Sequence, residues 1–131
     1  MSWVLDTHAL AWAYLRDPRL SAAASGVVAK ARSDELLASD VTLSELARFI
    51  SDGHLAVLGD AQSWLRGVAS HATIVPVSAE VAWRAATLPW EHRDPCDRHI
   101  IATALVQEAP LLTVDKRIAR AAHSLGLRVI W

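Results

Sequence analysis

Four carboxylates in this 131-residue chain stand where chemistry could be done: Asp6, Glu45, Asp97 and Asp115. Asp6 ends the apolar run Ser2–Leu5, and Asp115 ends Leu111–Val114. If both runs are strands, the two aspartates lie where an open α/β sheet binds its ligands, beyond the carboxyl ends of the strands. Glu45 and Asp97 fall near the starts of helical segments, whose N-termini can be aimed at the same crevice. Carboxylates brought together in this way repel one another, and a hard divalent cation relieves the repulsion. Mg²⁺ or Mn²⁺ held there would lower the pKa of a bound water, orient it, and stabilise charge developing on a phosphate. No histidine base is then required.

Each acid also has a local explanation. Thr42 and Glu45 have the spacing of a capping box. Asp94-Pro95 reads as an N-cap followed by proline at the first helical position. Asp97 is then the acidic residue of a first turn, which the helix dipole favours. Asp6 and Asp115 could cap the helices that follow their strands. Spacing alone leaves capping and metal binding both open; for Asp94 the two are compatible, and a structural role is expected.

The elements that must position these side chains follow from periodicity and punctuation. After the first strand, His8–Leu15 reads as a helix broken by Asp17-Pro18. Ser21 caps a second helix running to about Arg32. Leu36–Ala38 is a short second strand. Leu43, Leu46, Ala47 and Ile50 share one face of a helix that stops at Gly53, and Asp60–Ala69 is a further helix. Thr73–Val77 is β-branched but contains Pro76, so it belongs where a missing N–H is tolerated. Ser78 caps a helix through Leu88. A loop bracketed by Pro89 and Pro95 leads into a helix over Cys96–Glu108. Lys116–Leu125 is a helix closed by Gly126, and Leu127–Trp131 is a last strand. Strands alternating with helices predict one α/β domain over 1–131, with a central, mainly parallel sheet flanked by helices.

Composition narrows the classes of function. Apolar residues make up 53% and charged residues 21%, which suits a packed core rather than disorder. The formal charge is −1, so any contact with nucleic acid rests on a local site and bound metal, not on a broad basic face. Cys96 is the single cysteine, which excludes an internal disulfide and suits a reducing cytosol. The N-terminus lacks a basic n-region, and no run approaches the ~18 apolar residues of a membrane span, so a cytoplasmic location is expected.

The six histidines show no zinc spacing, and neither a G-x-S-x-G elbow nor a Walker loop is present. A phosphoryl-aspartate domain, either receiver or dehalogenase-like, would also place Asp at strand ends. The dehalogenase pattern wants a second Asp two residues on, where His8 stands. A receiver wants an acidic pair, whereas Asp6 stands alone. The six tryptophans fit core or interface packing better than base stacking, and the Ala/Leu/Trp-rich early helices could form a groove for a partner helix.

The order and wording of several segments resemble the PIN-domain family, and within it the VapC-type toxin ribonucleases of type II toxin–antitoxin pairs. The segments are Val4-Leu5-Asp6-Thr7-His8-Ala9-Leu10, Leu88-Pro89-Trp90-Glu91-His92-Arg93-Asp94-Pro95-Cys96-Asp97-Arg98, Ile100-Ile101-Ala102-Thr103-Ala104, Leu111-Leu112-Thr113-Val114-Asp115 and Leu127–Trp131. Together they span nearly the whole chain. The resemblance implies a PIN fold, Mg²⁺- or Mn²⁺-dependent cleavage of RNA, a homodimer, and a cognate VapB-type antitoxin that blocks the site. Carried over by position, the family's acidic residues fall on Asp6, Glu45, Asp97 and Asp115. Cys96 departs from the bulky apolar residue usual there, which implies altered packing rather than lost chemistry. Thr7 and Thr113 adjoin the acids and could orient a water or a carboxylate. Among nearby cations, Arg98, Arg93 and Lys116 are candidates for RNA phosphates, with Arg98 foremost; Arg48 and Arg117 also lie close. A PIN-like RNA- or protein-binding module without activity is the alternative.

Overall fold

The computed structural model describes residues 1–131. Its elements are β1 (Trp3–Leu5), α1 (Thr7–Leu15), α2 (Ala22–Lys30), β2 (Leu36–Ser39), α3 (Asp40–Ser51) and α4 (Ala61–Ala69), then β3 (Thr73–Val75), α5 (Ala79–Thr87), α6 (Pro95–Val106), β4 (Leu111–Leu112), α7 (Lys116–Leu125) and β5 (Val129–Ile130). Every helix starts at a Ser or Asp whose side chain accepts from a backbone amide two or three residues on: Asp6, Ser21, Ser39, Asp60, Ser78, Asp94 and Asp115. Those caps satisfy donors that a helix N-terminus otherwise leaves orphaned. Gly126 closes α7 with φ +72°, a conformation glycine adopts without strain.

The five strands form one sheet in the order β3-β2-β1-β4-β5. All four pairings are parallel, with Val4 beside both Leu37 and Leu111, and Leu5 beside Leu112. Alternation along the strands sends side chains to two cores. Leu5, Leu36, Ala38 and Leu112 pack with Leu10, Ala24, Leu46 and Val68 of α1, α2, α3 and α4. Val4, Leu37 and Leu111 pack with Ile100, Ile101, Ile118 and Ala122 of α6 and α7. Burial on both faces explains why the strands are continuous apolar runs. α5 packs on α6, by Val81 and Ala85 against Ala102.

The outer strands are shorter than their apolar runs. Thr73–Val77 narrows to Thr73–Val75 because Pro76 cannot donate to the ladder, and β3 is an edge strand. Leu111–Val114 narrows to Leu111–Leu112, since Thr113 already turns to accept from the Asp115 amide. β5 keeps only Val129 and Ile130 of Leu127–Trp131. No helix is long and apolar enough to cross a membrane. The chain leaves β1 toward one face and β4 toward the other, so the switch point of the sheet lies between the ends of these two strands.

Candidate metal centre

At that switch point a hollow of about 190 Å³ is lined by five carboxylates, Asp6, Glu45, Asp94, Asp97 and Asp115, together with Thr7, His8 and Arg117. Three helix N-termini meet there. Asp6 caps α1, accepting from the Ala9 amide at 2.8 Å. Asp115 caps α7, accepting from the Arg117 amide at 2.8 Å. Asp94 caps α6, accepting from the Cys96 amide at 2.9 Å, with Pro95 in the first turn and Asp97 one step further. The positive ends of three helix dipoles therefore lie beneath the acids and offset part of their repulsion. Glu45 comes from the second turn of α3 and is only 8% exposed. Its Oε1 accepts from the Thr7 hydroxyl, and its Oε2 lies 3.7 Å from Arg48.

The electrostatics are those of a site short of positive charge. Burial pushes the Asp6 carboxyl up to about 6; the Thr113 hydroxyl, the Ala9 amide and His8 oppose this, and the Asp97 charge adds to it. Asp97 is also raised, first by burial and then by Asp94, Asp115 and Glu45, while its hydrogen bond with His92 pulls the other way. For Asp115 burial is the largest single influence, yet the Arg117 guanidinium with the Arg117 and Ile118 amides outweighs it, and the carboxyl sits below its ordinary value. Arg117 bridges the acids, 3.0 Å from Asp115 and 3.6 Å from Asp97.

The structure brings Asp6, Glu45, Asp97 and Asp115 together as the sequence predicts. It adds Asp94, which caps α6 and also faces the hollow. Ligand atoms of His92, Asp94 and Asp97 lie within 4.8 Å of one another, as do those of Glu45, Asp94 and Cys96. The capping-box reading of Thr42 and Glu45 is corrected: Ser39 is the cap, so both residues lie inside α3, and Thr42 is wholly buried. Neither capping nor site geometry has to be chosen for Asp6 and Asp115, because each side chain does both.

Arg98 is the main correction. Its guanidinium donates to the backbone carbonyls of Ala85, Ala86, Leu88, Trp90 and His92, at 2.8 to 3.5 Å. Those bonds staple the α5–α6 connection and leave no donor facing a phosphate. Arg93 and Lys116 are exposed and do not line the acidic hollow. Two residues escaped sequence reasoning. Arg117 was one nearby cation among five until α7 placed it in the hollow. His92, whose Nε2 is 2.9 Å from Asp97 Oδ2, had a signal only in its place five residues before an acid across a proline-bounded loop. Trp83, expected in a core or interface, is 72% exposed on α5.

The donor set fits a hard divalent cation. The hollow offers carboxylate and hydroxyl oxygens, with Arg117 the one basic side chain other than His8. Two of its acids are held above their ordinary range by burial and mutual repulsion, which a dication would reverse.

The chain is similar to known proteins over nearly its whole length. A family model described as "PIN domain" matches residues 3–124. The chain is 34% identical over 121 residues to Ribonuclease VapC22 of Mycobacterium tuberculosis, covering 92% of each. Among solved structures, a toxin–antitoxin complex from Klebsiella pneumoniae superposes with a TM-score of 0.70 at 21% identity, covering 99% of this chain and 97% of that one. VapBC-1 from nontypeable Haemophilus influenzae gives 0.71 at 17% identity, again over 99% and 97%. At such identities these two structures speak for the fold alone.

Proposed function

This chain belongs to the PIN-domain family, and on that premise we propose that it is a metal-dependent endoribonuclease, the toxin half of a VapBC-type pair. The observation that carries the reading is the gathering of five carboxylates in one hollow at the ends of β1 and β4. Asp6, Glu45, Asp97 and Asp115 would hold Mg²⁺ or Mn²⁺, with Asp94 beside them. When bound, such an ion would supply a more acidic water for attack on an RNA phosphodiester and a counter-charge for the transition state. The chain's own residues prepare that site. Thr7 holds Glu45, the Ala9 amide holds Asp6, and His92 holds one oxygen of Asp97. Arg117 lies against Asp97 and Asp115 and is the cation placed to meet a phosphate entering the hollow.

The named relatives support a VapB-type antitoxin as partner, and the reading includes one domain over 1–131 acting as a homodimer in the cytoplasm. The antitoxin docks a helix on the early helices, where Trp12 is flanked by His8 and Trp131 at 5.5 and 5.9 Å, with Arg19 stacked at 4.7 Å.

Controlled expression of wild type and Asp6→Asn in a bacterial host, with RNA 5′ ends mapped across the transcriptome, tests the function. Discrete new ends and growth arrest with wild type only are expected. Soluble, folded wild type that produces no new ends would favour a binding module. Equal cleavage by the mutant would remove Asp6 from the mechanism.

A further inference from the structure

Beside the carboxylate hollow lies a second, larger cavity that water activation does not use. It has a volume of about 490 Å³ and is lined by Trp90, Glu91, His92, Arg117, Arg120 and Ala121. Arg117 lines both cavities, so the two meet across one side chain. Trp90 is half-buried against the core of α6 and α7, with its ring centroid 4.8 Å from that of His92. The loop carrying this aromatic pair is set in advance, because Arg98 bonds the carbonyls of Leu88, Trp90 and His92. Arg120 lies three residues after Arg117 on α7 and is exposed, and its side chain makes no hydrogen bond or ion pair within the chain.

We propose that this cavity is a nucleotide subsite for unpaired RNA, taking the residue that flanks the scissile phosphate. The base lies against Trp90 and His92, and its outer phosphate meets Arg120 while Arg117 attends the phosphate at the acids. The proposal rests on the ribonuclease reading and names the part of the substrate that reads along the strand. Neighbouring i, i+3 side chains stand ~5–6 Å apart on a helix, a spacing suited to consecutive phosphates. The base must be unpaired, because in a duplex it is already stacked on its neighbours. Glu91 can only accept, so it favours a base edge presenting N–H donors over another phosphate. A chain with a formal charge of −1 has no broad basic excess for holding RNA by counterion release, and a stacking platform supplies affinity of another kind.

The test combines binding and cleavage for wild type, Trp90→Ala, Trp90→Phe and Arg120→Gln. Binding is read by anisotropy of a labelled single-stranded 12-mer RNA of mixed sequence in Ca²⁺, with its integrity checked on a gel. Cleavage is read by sequencing the ends made from a random-sequence RNA pool in Mn²⁺. Trp90→Ala should weaken binding roughly ten-fold and flatten base preference at one position beside the cut. Trp90→Phe should retain most of both, which separates stacking from loss of fold. Arg120→Gln, on an exposed turn, should lower the salt slope of binding by about one. Unchanged affinity, preference and salt slope in Trp90→Ala and Arg120→Gln would overturn the subsite while leaving the nuclease intact. Wild type that binds the 12-mer through Trp90 but cuts nothing would keep the subsite and remove the nuclease. Wild type that neither binds nor cuts would remove both.

Discussion

The Thr7 hydroxyl donates to Glu45 Oε1 at 2.5 Å, across 38 residues of sequence, and so joins the first turn of α1 to the middle of α3. Thr42 Oγ1 lies 3.4 Å from the same hydroxyl. The contact aims a buried carboxylate at the hollow and makes up for water it has lost. Thr7→Val keeps the shape and removes the donor. Such outer partners of metal-binding acids matter by ~10–100-fold in metal affinity. We expect Mn²⁺ binding to weaken within that range and stability to fall by about 1–3 kcal/mol. Calorimetric Mn²⁺ titration and urea unfolding measure the two effects, and Thr7→Ser should restore both. Unaltered Mn²⁺ affinity in Thr7→Val would show that Glu45 needs no such hold.

Asp6 makes the metal-free protein sensitive to pH in a defined direction. Its carboxyl is raised from 3.8 in the unfolded chain to about 6 in the fold. Between those values the folded state keeps a proton that the unfolded chain has released. Stability therefore falls as pH rises through this window, and the loss is complete above it. Asp97, also raised, acts in the same sense. Without metal, this pair should make the protein melt higher at pH 5 than at pH 7. Asp6→Asn retains a capping side chain and removes the buried charge, so at pH 7 it should gain about 1–3 kcal/mol. Added Mn²⁺ should raise the wild-type melting temperature more at pH 7 than at pH 5, and Asp6→Asn should forfeit most of that response. Melting curves with EDTA and with Mn²⁺ decide it; a metal-free mutant no more stable than wild type at pH 7 would contradict the buried-charge account.

Arg98 should behave as a staple. A lysine there brings a point charge with three donors in place of a planar fork serving five carbonyls. Arg98→Lys should cost about 2–4 kcal/mol and speed amide hydrogen exchange between residues 88 and 93. If stability held while the salt slope of RNA binding dropped, Arg98 would instead be a phosphate contact.

Gly67 marks a close approach of α4 to α1. A β-carbon there would meet the Tyr14 hydroxyl and stand 2.9 Å from Tyr14 Cζ. That ring is held edge-on by Trp64 at 5.8 Å and by His71 at 6.0 Å, so it has little room to retreat. Gly67→Ala should destabilise by about 1–3 kcal/mol despite alanine's better helix propensity. Adding Tyr14→Phe should return part of the loss in a double-mutant cycle. An alanine variant as stable as wild type would show that Tyr14 can swing clear.

Much of this protein is local and therefore legible. Helix starts at Ser21, Ser78 and Asp94, the stop at Gly126, and the apolar runs of β1 and β4 depend on residues a few positions apart. The same runs place Asp6 directly after β1 and Asp115 three residues beyond β4, so two corners of the site were visible before any folding. Tertiary structure decided the rest. Whether Glu45 caps its own helix or faces the hollow depends on Ser39 taking the cap and on Thr7 arriving from 38 residues away. Whether Arg98 or Arg117 faces the acids depends on which helix face looks across the sheet's switch point and which carbonyls a loop presents. Capping is set by neighbours in sequence, whereas the partner of a charged side chain is set by which chain segments the fold brings within about 3 Å, where a hydrogen bond can form.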